Sequence, residues 1–210
     1  MSILDNFNEV KKKVHLLNPD TKIIIVCKNQ ESNNILPILN AGHREFGENK
    51  IQEAKKKWIN LKNSYSNIKL HFIGRLQSNK VDEAISNFSF IHSLDSKKLA
   101  DEINRIQKKK NIFREYFVQI NFTNEVQKSG ISLDQAPYFI DYCKNDLKLD
   151  VVGLMCIPPV NKDPSIFFNS LSNLAKSKNL HYLSMGMSSD YILAVKYGAT
   201  HIRLGSAIFN

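Results

Sequence analysis

Short apolar runs, each followed by a longer amphipathic stretch, recur along the chain to its C-terminus. A short apolar run is typical of a buried strand, whereas apolar residues spaced three or four apart predict a helix packed on one face. The pattern predicts strands at residues 22–27, 44–46, 69–73, 88–92, 116–120, 151–155, 181–184 and 201–204. It predicts helices at residues 49–61, 96–110, 133–144, 164–176 and 188–197, with an extra helix at 4–17 before the first strand.

Strands that alternate with helices indicate a parallel sheet, either closed into a barrel or open and doubly wound. Eight strands favour closure. The first predicted strand is not followed by a Gly-x-Gly-x-x-Gly motif, which an open dinucleotide-binding sheet would need. We therefore predict an α/β protein, a single (β/α)8 TIM barrel with an extra N-terminal helix, forming one domain over residues 1–210.

Composition limits the class of protein further. The hydrophobic content of 42% in 210 residues supports an ordinary buried core. We find no apolar run long enough for a membrane span and no signal peptide. Cys27, Cys143 and Cys156 are too few and too scattered for a disulfide framework or a paired zinc site. We expect a cytoplasmic protein with no membrane partner.

A formal net charge of +9 suggests nucleic acid as a partner, because phosphates attract lysine and arginine. The lysines, however, are dispersed along amphipathic helices, as at 11–13, 55–57 and 108–110, and do not alternate with aromatic residues in one stripe. We interpret them as solvated helix faces and expect no nucleic-acid partner.

Polar residues at the ends of strands are the candidates for chemistry, because active sites of such barrels lie at the carboxyl ends of the strands. Lys28 follows the first strand, and strand alternation places Lys28 inward if Ile25 and Cys27 face the helices. Partial desolvation would favour a neutral amine, which attacks an aldehyde to form an imine. A solvated lysine is the alternative.

The last two predicted strands add an anion site. Ser188 and Ser189 follow the seventh strand as N-cap types, where hydroxyl and backbone N–H groups suit a phosphate, although they also suit a simple helix cap. On the eighth strand, alternation places Arg203 in the barrel mouth, ahead of Gly205 and Ser206. An amine, a phosphate cup and a deep arginine together match pyridoxal 5'-phosphate (PLP).

A set of motifs runs almost end to end through the chain. It comprises Phe46-Gly47-Glu48-Asn49 with Gln52-Glu53, His71-Phe72-Ile73-Gly74 with Leu76-Gln77-Ser78-Asn79-Lys80, Lys128-Ser129-Gly130, Gly153-Leu154-Met155 with Ile157-Pro158, residues 183–188 and residues 203–209. With these motifs in this order, the chain resembles the pyridoxal phosphate homeostasis protein family (YggS/PROSC). The fold of that family is that of the N-terminal barrel of alanine racemase.

The resemblance implies that Lys28 carries PLP as a Schiff base and that Arg203 faces the pyridine nitrogen. It implies that Ser188, Gly205 and Ser206 hold the phosphate, and it suggests that Asn49, Met155 and Met185 lie near the ring. His71 is either a site residue or a hydrogen-bonded core residue. Glu48, Lys80 and Lys128 serve either a second PLP contact or structural salt bridges, and the sequence leaves both open.

The chain departs from the family pattern at two places. Asn29-Gln30-Glu31 follows Lys28 where the family usually has a Thr-Lys-Pro-like stretch, and Arg75 stands where Pro or His is usual. The segment after Pro158-Pro159 is also short. These departures bear on partner contacts of the loops and leave the PLP motifs intact.

The resemblance also addresses catalysis. Alanine racemase takes a second acid/base group from a separate C-terminal domain of a partner subunit, and this chain stops where the barrel closes. An arginine at the pyridine nitrogen weakens PLP as an electron sink. We expect a PLP homeostasis protein without robust catalysis. We expect it to be a monomer, with PLP-dependent apoenzymes as partners. A PLP-dependent amino-acid racemase or decarboxylase is the alternative.

Overall fold

The computed structural model describes residues 2–123 and 129–210, and its strands close into a parallel barrel. The strands of the barrel are β1 (Lys22–Val26), β2 (Glu45–Glu48), β3 (Lys69–Phe72), β4 (Phe90–Leu94), β5 (Glu115–Asn121), β7 (Asp150–Cys156), β8 (Tyr182–Ser184) and β9 (His201–Leu204). Each strand pairs with the next in this order, and β9 pairs with β1. The two-residue strand β6 (Ile131–Ser132) adds to β5. The predicted eight-stranded barrel is confirmed.

Helices surround the barrel. They are α1 (Ile3–Leu17), α2 (Ser32–Asn40), α3 (Ile51–Ser64), α4 (Val81–Asn87), α5 (Lys97–Lys110), α6 (Ala136–Asp141), α7 (Pro164–Ser177), α8 (Tyr191–Lys196) and α9 (Ser206–Phe209). A 3-10 turn at Ser78–Lys80 precedes α4, and a π-helical turn at Tyr142–Asp146 follows α6. None of the described helices is both long and apolar enough to cross a membrane.

The predicted N-terminal helix is present as α1, and Ser2 and Asp5 form a reciprocal capping box at its first turn. The Ser2 hydroxyl accepts from the Asp5 N–H at 3.1 Å, and the Asp5 carboxylate accepts from the Ser2 N–H at 3.0 Å. The Asn6 amide donates to the carbonyl oxygens of Ile208 and Asn210 at 3.0 and 3.2 Å. These bonds tie α1 to α9, which follows the last strand and carries part of the cavity described below.

Several predicted boundaries were wrong, among them the starts of one strand and two helices, and local hydrogen bonds explain two of these three. The strand predicted from residue 88 begins at Phe90, because Phe88 still donates its N–H to Ala84 O and ends α4. The helix predicted from residue 188 begins at Tyr191, because Asp190 Oδ1 accepts from the Met187 N–H at 2.6 Å and closes a turn first. The helix predicted at 133–144 begins three residues late, with Pro137 in its first turn, where its missing N–H costs nothing.

Strand alternation sorts the side chains into an outer and an inner layer. Ile25 and Cys27 belong to the apolar layer between strands and helices, as do Ile202 and Leu204, so the predicted facing of β1 and β9 is confirmed. The inner layer holds a small apolar cluster of Phe90, Phe117 and Met155, together with buried polar side chains. The interior of this barrel is therefore packed and partly polar.

Candidate functional site

A cavity of about 540 Å³ opens at the carboxyl ends of the barrel strands. Six of the eight site residues predicted from sequence line it: Lys28, Asn49, Ser188, Arg203, Gly205 and Ser206. The other lining residues are Val26, Ile73, Gly74, Ile157, Met187 and Ser189. The cavity thus collects residues from loops that lie far apart in the sequence.

Lys28 lies two residues beyond the end of β1. The Cys27 N–H donates to Gly47 O at 2.9 Å, which continues the pairing with β2 up to the residue before Lys28. Lys28 itself lines the cavity and is exposed, and the chain then turns at Asn29, whose φ is 59°. The predicted partial desolvation of this amine is not seen, because the residue stands past the strand end at an open mouth. The amine is accessible to a carbonyl group in the cavity.

The loops after β8 and β9 are joined by a direct contact. The Ala207 N–H in the first turn of α9 donates to Ser188 Oγ at 3.1 Å. Gly186 shapes the first loop, since its φ is +93° and a Cβ there would lie 2.6 Å from Ala194 Cβ. Ser188 and Ser189 lie in the turn before α8, so their predicted role as N-cap of that helix was wrong; Asp190 is the N-cap.

Gly205 and Ser206 line the cavity next to the hydrogen bond between Ala207 and Ser188. Gly205 is the N-cap of α9, and Ser206 begins the helix, so its N–H has no intrahelical acceptor. A Cβ on Gly205 would make ordinary van der Waals contact with Val26, 3.5 Å from its carbonyl oxygen, so no described atom crowds Gly205 on the cavity side. Hydroxyl and N–H donors around an open space form a suitable cup for an anion.

Among the described residues that line the cavity, Arg203 is the charged one that is buried, with 4% of its surface exposed. Its Nη1 donates to Ser184 Oγ at 2.7 Å and its Nη2 donates to Cys156 O at 2.9 Å. Burial lowers the pKa of the guanidinium from its ordinary value, yet an arginine remains charged at neutral pH. These two bonds use two of the five N–H groups of the guanidinium, so the side chain retains donors for a ligand.

Asn49 provides an acceptor. Its side-chain Oδ1 is buried and has no hydrogen-bond partner among the described residues. Gly74 packs on the same residue, because a Cβ there would lie 2.1 Å from Asn49 O. A buried amide oxygen without a partner is costly, and a ligand that donates a hydrogen bond in the cavity would satisfy it.

Two predicted site residues lie elsewhere. Met155 is buried in the inner cluster with Phe90 and Phe117, and Met185 is buried in the outer apolar layer. The structure therefore places neither methionine in the cavity wall. The sequence motifs that contain Ile73-Gly74 and Ile157 already pointed to two ends of strands, and these residues, which were not predicted, do line the cavity.

The structure separates the two roles considered for Glu48. Its carboxylate is fully buried, and Oε1 accepts from Lys57 Nζ at 2.9 Å and from Trp58 Nε1 at 2.8 Å. The Lys57 amine also donates to the carbonyl oxygen of Cys27. Glu48 thus belongs to a structural salt bridge that holds the end of β1, the segment that presents Lys28.

The remaining residues of undecided role are placed as follows. Lys80 forms a salt bridge with Glu83 at 2.8 Å on the surface. His71 is fully buried and hydrogen-bonded inside the barrel. Lys128 lies outside the described residues.

Replacing Lys57 with alanine is expected to lower the free energy of unfolding by about 3–5 kcal/mol, because it leaves the Glu48 carboxylate buried without its cation. Urea denaturation of the variant measures this loss. Lys55→Ala is the matched control, since Lys55 is half exposed and its salt bridge with Glu83 contributes at most about 1 kcal/mol. Equal losses in the two variants would contradict a structural role for the buried pair.

Comparison with known proteins agrees with this geometry. Residues 2–210 match the family described as alanine racemase, N-terminal domain. The chain is 38% identical over 202 residues to a pyridoxal phosphate homeostasis protein of Synechocystis sp., covering 92% of each chain. Solved structures of PipY from Synechococcus elongatus are similar too: the form without PLP has a TM-score of 0.90 at 31% identity, and the form with PLP bound has 0.88 at 30%.

Each PipY comparison covers 99% of this chain and 100% of PipY, so the likeness extends over the whole barrel. The family model and the relatives agree with one another and with the motifs in the sequence. The chain belongs to the pyridoxal phosphate homeostasis protein family, built on the N-terminal domain fold of alanine racemase.

Proposed function

We propose that this chain binds PLP in the cavity at the carboxyl ends of the strands, holds it as a Schiff base on Lys28, and acts in PLP homeostasis without robust catalysis. The observation that carries the proposal is the convergence of Lys28, Arg203 and the Ser188–Gly205–Ser206 cup on one cavity. PipY, a structural relative at 30% identity, has been solved with PLP bound.

The donor and acceptor groups of the cavity fit PLP. Gly205 and Ser206 offer open space and N–H groups to a phosphate, and Arg203 offers donors to a ring nitrogen, which is an acceptor. The unpartnered Oδ1 of Asn49 suits a donor on the ligand. When bound, PLP supplies an aldehyde, and the Lys28 amine adds to its carbon with loss of water to form the covalent link.

Two features support a holding role over turnover. Arginine at the pyridine nitrogen disfavours protonation of the ring, which PLP needs as a strong electron sink. Among the described residues that line the cavity, Lys28 and Arg203 are the ones with ionisable side chains, and none is a histidine, a carboxylate, a tyrosine or a cysteine. A racemase needs a second acid/base group opposite the lysine, and the part of the cavity wall that the structure describes does not provide one.

We further propose that the protein is a cytoplasmic monomer that exchanges PLP with PLP-dependent apoenzymes. Cys27, Cys143 and Cys156 are buried and free, and burial raises the pKa of each thiol, to about 12 for Cys143 and Cys156. Protonated, enclosed thiols fit a reducing compartment.

The test is to titrate the protein with PLP, record the absorption spectrum, reduce with borohydride and map the pyridoxyl group by peptide mass spectrometry. We expect one adduct, on Lys28, and an absorption band that is lost on reduction. An adduct spread over surface lysines would contradict the proposed site. Racemisation or decarboxylation of amino acids well above the rate of free PLP would instead favour the enzyme alternative.

A further inference from the structure

A chain of hydrogen bonds crosses the barrel interior behind the cavity and ends on Arg203. Arg203 Nη1 lies 2.7 Å from Ser184 Oγ, and Ser184 Oγ lies 2.8 Å from His92 Nδ1. His92 Nε2 lies 2.9 Å from His71 Nδ1, and His71 Nε2 lies 2.7 Å from Glu45 Oε2. Glu45 begins β2, so the chain runs from the amino-terminal mouth of the barrel to the arginine of the cavity.

The Glu45 carboxylate only accepts and the Arg203 guanidinium only donates, so with neutral histidine rings the chain has one direction of donation. A guanidinium only donates, so Ser184 Oγ accepts a hydrogen bond from Arg203, and the Ser184 hydroxyl donates its single proton to His92 Nδ1. His92 then carries its proton on Nε2 and donates to His71 Nδ1. His71 in turn carries its proton on Nε2 and donates to the Glu45 carboxylate. Each neutral histidine is therefore protonated on Nε2.

Burial and charge agree with neutral rings. Both histidines are fully buried, and desolvation is the main cause that lowers the pKa of each. Burial alone would raise the pKa of Glu45, but the hydrogen bond from His71, the charge of the His71 ring when it is protonated, and the nearby Lys69 and Lys22 lower it to about 2. The charged and titratable groups that face the rings are Glu45, Lys22, Lys69, His201 and Arg203.

Stacking fixes both rings in place. The His71 ring stacks on Phe90 with centroids 4.5 Å apart and an angle of 6°, and the His92 ring stacks on Phe117 at 4.1 Å and 16°. A ring that is held on its face by an aromatic neighbour and at both nitrogens by hydrogen bonds has one orientation. The acceptor that His92 presents to Ser184 is thereby fixed.

We propose that Ser184 and His92 are positioning residues that hold the Arg203 guanidinium in the orientation required for PLP, with His71 and Glu45 anchoring them across the barrel. This inference rests on the proposed function. Ser184 presents a lone pair to Arg203 because His92 takes the hydroxyl proton. Without that acceptor the hydroxyl rotates, and the guanidinium loses one of its two protein bonds.

Two pairs of variants test the proposal. Ser184→Ala removes the acceptor of Arg203, and Ser93→Ala is its matched control, since Ser93 is also buried on a barrel strand but its Oγ has no partner among the described residues. His92→Asn retains a side-chain acceptor near the Nδ1 position, whereas His92→Gln retains a donor near the Nε2 position and loses the acceptor for Ser184.

We expect Ser184→Ala and His92→Gln to weaken PLP binding about 10-fold or more and to shift the absorption band of bound PLP. Each variant weakens or removes the hydrogen bond that Ser184 makes with the charged guanidinium of Arg203. Ser93→Ala and His92→Asn should stay within about 3-fold of the parent. Far-ultraviolet circular dichroism and the adduct on Lys28 report that the fold and the covalent link persist. Equal losses in each pair, or an unchanged affinity and band in Ser184→Ala, would overturn the proposal.

A second readout needs no PLP. Long-range proton–nitrogen NMR of the histidine rings should find His71 and His92 neutral and protonated on Nε2 at neutral pH. Protonation on Nδ1 in either ring would overturn the proposal even if PLP binds. Failure of the parent protein to form any adduct on Lys28, with the expected ring states present, would overturn the proposed function and with it the need to orient Arg203 for PLP.

Discussion

Lys28→Ala is expected to abolish the borohydride-stable pyridoxyl adduct completely. The amine of Lys28 is the one lysine amine among the described residues that line the cavity, so no other group in the wall can add to the aldehyde. Peptide mass spectrometry after reduction measures the adduct. The cup and Arg203 remain, so weak, reversible PLP binding should persist and be detected by equilibrium dialysis.

The same variant should fold normally. Lys28 is exposed and stands beyond the end of β1, and surface substitutions of this kind change the free energy of unfolding by about 0.5 kcal/mol or less. Lys50→Ala is the matched control: Lys50 follows Asn49, its side chain is 62% exposed, and it pairs with Glu53. Retention of the adduct in Lys28→Ala, or its loss in Lys50→Ala, would assign the link to another residue.

The free energy of unfolding is expected to fall steeply as the pH is lowered below about 6.5. Burial is the main cause that lowers the pKa of His71, His92 and His201, to about 3 for His201. Above pH 6.5 these rings are neutral in both states. As the pH falls through the ordinary histidine pKa, these three rings bind protons in the unfolded chain but stay neutral in the folded barrel. Proton binding therefore stabilises the unfolded state relative to the folded state.

Each histidine that stays neutral contributes a slope of about 1.4 kcal/mol per pH unit, so His92 and His201 together give about 3 kcal/mol per pH unit below the ordinary pKa. His71 adds to this slope until the pH reaches its own lowered pKa. For His201 the loss continues down to about pH 3. Glu45, whose pKa is lowered to about 2, adds a loss of the same sign below the ordinary carboxylate range. A domain of ordinary stability, about 5–15 kcal/mol, should therefore unfold in mild acid.

Urea denaturation at a series of pH values measures this slope. His201→Gln should reduce it by about one proton, because the His201 ring is buried and Nε2 has no partner among the described residues. His15→Gln, at an exposed position of α1, should leave the slope unchanged. A slope of less than one proton between pH 6 and pH 4 would show that the barrel interior accepts protons.

Much of the fold was contained in the local pattern of the chain. Period-two alternation in β1 and β9 decided that Ile25, Cys27, Ile202 and Leu204 face the helices, because a strand turns alternate side chains to opposite faces. The same rule placed Arg203 inside the barrel. The local pattern failed at α2, which contains Pro37 and begins with a polar run, and at the short helix α4; neither was predicted.

The sequence by itself determined which residues reach the mouth of the barrel, because the ends of parallel strands meet there whatever the details of packing. Six of the predicted site residues share one cavity for that reason. Only the tertiary structure decided what lies behind them. Met155 and Met185 are enclosed in different layers, and Glu48 Oε1 accepts from Lys57 and Trp58. The bonds that link Arg203 to Glu45 join five strands across the barrel, and their existence depends on distances of about 3 Å that no sequence spacing encodes.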